Sequence, residues 1–414
     1  MLEHADEKRI ENWIEGMNAF NSTPEYGTTR VLFTEPELAN RAYVKEEMEK
    51  LGLKVTEDAI GNIFAVLEGS DPTKAPVWTG SHIDTVLNAG KFDGMAGVVC
   101  GMEALRLIKK SKACHKRNLV VVIYTSEEPT RFGLSCLGSR AMAGELTLQD
   151  AAKLYDNEGK TLAQVLKELN YKPEDFSTVK KQKGDVYAAV ELHIEQNNRL
   201  ERNGQAIGIV KKICAPSNFT VEVRGCQSHA GGTDMKDRRD AYGASCEMAL
   251  LLEKLAQECR SEYNTATVGR VEVIPGAINV IPGLVRFSVD IRDCNMDTKQ
   301  ELIMSWKDGV KQIAKKRHVE VDITEENNDE PLTCDENIVA KLQRICEEKK
   351  LPFGFQISGP YHDTLFVGRF TKAAMLFVPS KNGISHSPEE WTDYAELAVG
   401  TDVLAEVLLE LANE

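Results

Sequence analysis

Along the first 210 residues, short apolar runs alternate with stretches of helical period. Residues 62–67 and 75–79 predict strands, 95–109 a helix, 119–125 (LVVVIYT) a strand buried on both faces, and 186–192 a further strand. Ahead of them a helix is expected from Thr34, where Thr34-x-x-Glu37 has the form of a capping box and Pro36 lies in the first turn. Val44, Met48 and Leu51 then share one face, and Gly52 suits the C-cap. Strands alternating with helices imply a sheet covered by helices, an α/β layer architecture.

From about residue 217 the pattern changes. An alternating strand at 218–224 precedes a long amphipathic helix at 237–259. Strands at 267–274 and 284–292 are joined by the turn-rich PGAINVIPG, and a helix at 298–316 and a strand at 319–324 follow. That order, β-α-β-β-α-β, is the ferredoxin-like pattern of a self-contained small domain. A helix at 337–348 and a strand at 373–378 resume the first style. The expectation is an α/β domain of residues 1–213 and 330–414 with a smaller domain, 214–329, inserted. A chain of 414 residues has room for both.

Composition narrows the function. Fifty Lys+Arg against 64 Asp+Glu leave a formal charge of −14, which argues against a nucleic-acid or anionic-membrane binder. No apolar run approaches the roughly 20 residues that span a bilayer, and the charged N-terminus lacks the apolar stretch of a signal peptide. None of the ten cysteines forms a C-x-x-C pair, so a zinc ribbon or thioredoxin-type motif is excluded on spacing. Several, such as Cys100, sit in apolar runs as small hydrophobes. A reducing, cytoplasmic address is expected.

Five segments near predicted strand ends carry candidate chemistry, at the place where an open α/β sheet sets its site. They are Gly80-Ser81-His82-Ile83-Asp84-Thr85, Lys91-Phe92-Asp93-Gly94, Ser126-Glu127-Glu128-Pro129, Glu191-Leu192-His193-Ile194-Glu195-Gln196 and Gly383-Ile384-Ser385-His386. Singly, each has a plainer reading. Asp93 suits a helix N-cap, Glu127 and Glu128 a solvated pair, and His82, His193 or His386 an ordinary structural histidine. Together, imidazoles and carboxylates at several strand ends are what a two-cation hydrolase needs: the ions share a carboxylate and acidify a water, and a nearby Glu takes its proton.

In this order, around an inserted domain, GSHIDTV, FDGMAGV, ELHIEQ and GISHSPEEW resemble the M20 family of metallo-aminohydrolases over nearly the whole chain. Within it they resemble the amidase branch of N-carbamoyl-L-amino-acid hydrolases, β-ureidopropionase-like enzymes and allantoate amidohydrolases. The resemblance implies a mixed-sheet α/β metallohydrolase domain carrying a ferredoxin-like lid and dimerisation domain. It also implies two divalent ions per subunit, Zn or Mn, with Co or Ni accepted by the same N/O donors. His82 and His193 would hold one ion, Glu128 and His386 the other, and Asp93 would bridge them. Asp84 would support His82, and Glu127 would act as general base. In the inserted domain, His229 would steady the carbonyl oxygen as it gains charge. Asn279 and Arg292 would hold the substrate carboxylate, for which a guanidinium fork is suited. Gln196 would meet the carbamoyl amide.

The implied reaction is release of ammonia and carbon dioxide from an N-carbamoyl-L-amino acid. Allantoate hydrolysis is the alternative, and an aminoacylase or dipeptidase activity a more distant one. A non-catalytic, metal-stabilised binding protein would not require Glu127. The resemblance implies a homodimer formed through the inserted domain, with His229 reaching the partner's site. Two departures stand out. The C-terminal substrate loop, where the branch has a Gly-rich stretch, reads Ser358-Gly359-Pro360-Tyr361-His362-Asp363 here. Gly359 is retained as a substrate contact, while Pro360 removes a backbone donor and Tyr361 adds bulk. Asp234 stands where a Pro is usual, placing a carboxylate near the substrate entrance.

Overall fold

All five residues of the strand Leu119–Ile123 are buried, and its two neighbours explain why. It pairs antiparallel with Ile63–Leu67 and parallel with Val77–Ser81 near the middle of a mixed sheet. The computed structural model describes residues 2–414. Across the sheet the strands run Lys54–Glu57, Ile63–Leu67, Leu119–Ile123, Val77–Ser81, Ala188–Ile194, Lys372–Val378 and Ile207–Ile213. Val77–Ser81, Leu119–Ile123, Ala188–Ile194 and Lys372–Val378 form the parallel core, flanked by antiparallel strands. The sheet is therefore mixed and the class α/β.

The helix Met95–Ser111 is buried along most of its length. Gly97 lets it approach the sheet: a Cβ there would lie 2.4 Å from the Leu192 carbonyl oxygen. Helices Glu7–Asn18 and Tyr394–Asn413 and strands Ile207–Ile213 and Phe353–Ser358 were not expected from the pattern. The helix Glu35–Lys50 starts where expected, with Thr34 as N-cap and Gly52 at φ +71° just past its end. The capping box, however, does not form. Thr34 Oγ1 donates to the Val31 carbonyl at 2.7 Å, and Glu37 accepts from the Phe33 amide at 3.0 Å and from Arg41 Nε at 2.6 Å. A buried arginine one turn on outcompetes the cap.

The chain divides into two units. One comprises Met1–Lys211, Cys334–Gln356 and His362–Glu414, the other Lys212–Thr333 with Ile357–Tyr361. In the second, strands Val271–Ile274, Leu284–Asp293, Ala215–Arg224 and Glu320–Asn328 lie in that order, every neighbouring pair antiparallel. Helices Ala241–Glu258 and Met296–Arg317 contribute Met248, Leu252 and Trp306 to its core with Phe219 and Phe287. The single strand expected over 267–274 is two, Asn264–Thr267 and Val271–Ile274. Both pair along Leu284–Asp293, and Arg270 bonds Ser288 between them. Among the described residues no helix is long and apolar enough to cross a membrane.

Candidate metal centre

Parallel strands deliver the site. His82 follows Val77–Ser81 directly, Glu127 and Glu128 lie four and five residues beyond Leu119–Ile123, and His193 is the penultimate residue of Ala188–Ile194. His386 comes from the loop after Lys372–Val378, and Asp93 stands two residues before the helix Met95–Ser111. All converge on Asp93. Its Oδ1 lies 3.5 Å from His82 Nε2 and 3.2 Å from His193 Nε2. Its Oδ2 lies 3.1 Å from His386 Nε2, which is itself 3.3 Å from Glu128 Oε1. One carboxylate thus belongs to two donor sets, His82–Asp93–His193 and Asp93–Glu128–His386.

The surroundings orient these groups. His82 Nδ1 lies 3.0 Å from the Asp84 carbonyl and His193 Nδ1 2.9 Å from the Ile194 carbonyl, which places the proton on Nδ1 and turns Nε2 toward Asp93. The Asp84 carboxylate is 3.6 Å from His82 and does more elsewhere. It accepts the Glu127 amide at 3.3 Å and the Glu128 amide at 3.1 Å, fixing both glutamates. Glu390 accepts the Phe92 and Asp93 amides at 2.9 and 3.0 Å, and Ser385 Oγ donates to Asp93 and Glu390. Gly94 has φ +68°, and a Cβ there would lie 2.5 Å from the His82 ring. Ser126, Gln196 and His386 adopt left-handed φ of 56°, 54° and 55°, a conformation costing about 1–3 kcal/mol each and held only where the surroundings dictate it.

The electrostatics describe a site that seeks positive charge. Burial opposes protonation of His82, but the hydrogen bond to Asp93 and the charges of Glu127 and Asp84 outweigh it and hold the imidazole well above its usual range. His193 is raised in the same way, against burial and through Asp93. His386 is raised to about 9, first by its hydrogen bond to Asp93. Burial works against a charged Asp93, yet hydrogen bonds from His193, His386 and His82 keep its carboxyl well below the ordinary range. Burial, then Asp93, pushes Glu128 up to about 7. Bare imidazole nitrogens facing carboxylate oxygens need a proton or a cation between them, and the all-N/O donor set suits a divalent ion.

Glu127 is the acid without a partner histidine at close range. Its Oε2 is 4.0 Å from His82 Nε2 and its Oε1 3.8 Å from Cys136 Sγ. Burial, followed by the charge of Glu128, raises its pKa well above the usual range.

The other expected residues divide. Gln196 Nε2 donates to Asp93 Oδ2 at 2.7 Å, and its buried Oε1 has no partner. His229 lies in a two-residue strand paired with Val280, and the Ala230 amide bonds the Asn279 carbonyl at 2.9 Å. Arg292 is elsewhere in that unit. Its guanidinium bonds Asp290 at 3.0 and 3.1 Å and the Gly359 carbonyl at 3.3 Å. Arg292 stands near one end of the strand Leu284–Asp293 and the His229–Asn279 pair beyond the other, so about eight residues, or ~27 Å of strand, separate them.

Several residues of the site escaped the sequence reading. His362 is buried and packs on His193 with ring centroids 4.6 Å apart, and Glu191, His193 and His362 form a third donor set. Period-two spacing with His193 was the available signal for Glu191, whose carboxylate accepts from Ser81 at 2.7 Å and Thr364 at 2.5 Å. Asp363 accepts from Ser139 at 2.5 Å, and burial followed by Glu191 raises it to about 8. Glu390 sat inside GISHSPEEW with nothing in the pattern to mark its role.

The model of Peptidase family M20/M25/M40 matches residues 78–410. Ureidoglycolate hydrolase of Arabidopsis thaliana is 39% identical over 413 residues, covering 98% of this chain and 87% of that one. N-carbamoyl-L-amino-acid amidohydrolase of Pseudomonas sp. (strain NS671) is 34% identical over 405 residues, covering 97% and 98%. The crystal structure of AtUAH in complex with glyoxylate superposes with a TM-score of 0.88 at 38% identity, over 99% of this chain and 98% of that one.

Proposed function

The chain belongs to peptidase family M20/M25/M40, and from that premise we propose a metal-dependent hydrolase that opens the ureido C–N bond of a small ureido acid, with ureidoglycolate the first candidate substrate. The observation that carries the reading is Asp93, shared between the His82–His193 and Glu128–His386 donor sets with Glu127 alongside. Those five residues would hold two divalent ions. Bound there, the ions would polarise the ureido carbonyl and acidify a water.

The chain's own residues supply the rest. Glu127 takes the proton of the attacking water and passes it to the leaving nitrogen, a task suited to a carboxyl whose pKa burial raises above the ordinary range. Asp84, through the two amides it accepts, keeps that carboxylate in place. His229 Nδ1 accepts the Gly231 and Gly232 amides at 3.1 and 3.0 Å, so the proton sits on Nε2, a donor for the carbonyl oxygen as charge develops. Arg292 and Asn279 are assigned to the substrate carboxylate. Because the two ends of one strand separate Arg292 from His229 and Asn279, a second copy of the chain is assigned the latter pair.

Two observations favour a substrate with a small substituent. The ureidoglycolate hydrolase relative shares 39% of its residues with this chain and the N-carbamoyl relative 34%. The Gly359–Tyr361 segment is also filled: a Cβ at Gly359 would lie 2.6 Å from the Tyr263 hydroxyl, and the Tyr361 hydroxyl is tied to Asp329. N-carbamoyl-L-amino acids are the second candidate. The nitrogen count separates them. Cleavage of ureidoglycolate gives carbamate and a carbinolamine, and both break down to ammonia, leaving glyoxylate. An N-carbamoyl amino acid yields one ammonia and keeps the other nitrogen in the amino acid. Ammonia release is therefore measured with Mn²⁺- or Zn²⁺-loaded protein on ureidoglycolate, allantoate, N-carbamoyl-L-amino acids and N-acyl amino acids. Two equivalents of ammonia with glyoxylate are expected from ureidoglycolate. Silence on every ureido substrate would refute the reading, and faster turnover of the acyl substrates would replace it with an aminoacylase.

A further inference from the structure

Two thiols meet in the second unit, remote in sequence from the acid cluster. The strands Ala215–Arg224 and Leu284–Asp293 pair antiparallel, with Ala215 opposite Asp293. Continued by one step, that register would bring Cys214 and Cys294 face to face, and their side chains hydrogen-bond to each other. Antiparallel partners stand with Cα atoms roughly 4.5–5.5 Å apart, a separation that a disulfide spans. Both residues are buried and free. Backbone bonds hold each in place, from the Cys214 amide to the Ser358 carbonyl at 2.8 Å and from the Cys294 amide to the Tyr263 carbonyl at 3.2 Å.

We propose that Cys294 and Cys214 form a peroxide-reactive dithiol, with Cys294 the attacking thiol and Cys214 the resolving one, whose closure to a disulfide alters the strand end that carries Arg292. The roles follow from the surroundings. Cys294 receives the Cys214 thiol and lies 3.7 Å from Ser261 Oγ. Hydrogen bonding from Cys214, against burial and with help from Ser261, lowers its pKa to about 6, while Cys214 is raised by the same bond. A thiolate at neutral pH is the nucleophile. Its sulfur attacks one peroxide oxygen, the O–O bond breaks, and water leaves a sulfenic acid. The Cys214 sulfur then attacks the Cys294 sulfur, the S–O bond breaks, and a second water departs. Two thiols and one hydroperoxide thus give one disulfide and two waters.

Arg292 lies two residues before Cys294, and its strand partner Pro216 lies two residues after Cys214. A covalent bond at that end fixes the spacing of the strands beside the guanidinium. The effect on substrate rests on the ureido-acid reading; the thiol chemistry does not.

The test treats the metal-loaded full-length protein with equimolar hydrogen peroxide, blocks remaining thiols, and maps them by peptide mass spectrometry. A Cys214–Cys294 linked peptide, two hydrogens lighter and restored by dithiothreitol, is expected before modification of the exposed Cys114, Cys226 and Cys246. Cys214→Ser should leave a sulfenic acid on Cys294 that dimedone captures, and Cys294→Ser should give neither product. The linked protein should show KM for the ureido acid raised at least threefold with metal content unchanged. Absence of the linked peptide, or modification of the exposed cysteines first, overturns the dithiol. Complete linkage with unaltered KM overturns its coupling to Arg292. A protein that hydrolyses no ureido acid yet forms the linked peptide would separate failure of the functional reading from failure of this one.

Discussion

Glu127 and His386 show how little the identity of a residue says until its neighbours are known. Both are ionisable groups on loops after strands, but only His386 is within 3.3 Å of other candidate ligands. Burial, followed by the charge of Glu128, raises the Glu127 carboxyl above its ordinary range, and its Oε1 lies 3.8 Å from Cys136 Sγ. Replacing the base but preserving its shape tests the division: Glu127→Gln should retain metal by elemental analysis and lose roughly 10²–10⁴ in turnover. Full activity in that variant would remove Glu127 from the reaction. A second expectation concerns protons. In cation-free protein the His386 pKa is raised from 6.5 to about 9, chiefly by Asp93, so at pH 7–8 the site holds a proton that a cation must displace. Metal affinity should therefore rise with pH until about 9. Titration calorimetry in buffers of different ionisation enthalpy reads the released proton, and uptake without proton release would contradict the assignment.

At the scale of elements, helix starts and strand ends place the chemistry, and buried ion pairs hold some of them. Glu37 and Arg41 are both buried on the helix Glu35–Lys50. Arg41 also donates to the Gly61 carbonyl at 2.5 Å and to Thr125 Oγ1 at 3.2 Å, two residues before Glu127. Removing one partner leaves the other charge buried, a loss of about 3–5 kcal/mol. Glu37→Ala is expected to lower the unfolding free energy read from urea titration by that amount, whereas Glu37→Gln, which keeps an acceptor, should cost less. Equal stability of the alanine variant and the parent would show the pair to be dispensable. The four parallel strands of the central sheet were legible because strands buried on both faces read as unbroken apolar runs. The capping box at Thr34 was misread because spacing cannot say that Arg41 claims Glu37. The strand over 267–274 was misread because pairing with Leu284–Asp293, a non-local feature, decides where it breaks.

For the whole molecule, the separation of Arg292 from His229 and Asn279 along one strand makes assembly part of the expected chemistry. If a partner copy supplies His229, two inactive variants should complement each other. Mixing Glu127→Gln with His229→Ala under conditions that exchange subunits should restore about one quarter of parental activity, since half the dimers are mixed and each has one complete site. No recovery, with exchange verified by mass, would place His229 in the same copy as its site or outside the reaction.

The sequence by itself determined the alternation of strands and helices, the change of pattern near residue 217, and the candidate acids and imidazoles at strand ends. These are local properties, set by hydrophobic period and by motifs a few residues long. Only the tertiary structure decided that Asp84 acts on the amides of Glu127 and Glu128, and that Glu191, His362, Asp363 and Glu390 belong beside them. It also brought the thiols of Cys214 and Cys294 into a hydrogen bond, eighty residues apart in a chain where neither forms a local motif. The reason is physical: charge, hydrogen bonding and burial act over a few ångströms of space, and which residues share that space is decided by strand pairing between distant segments.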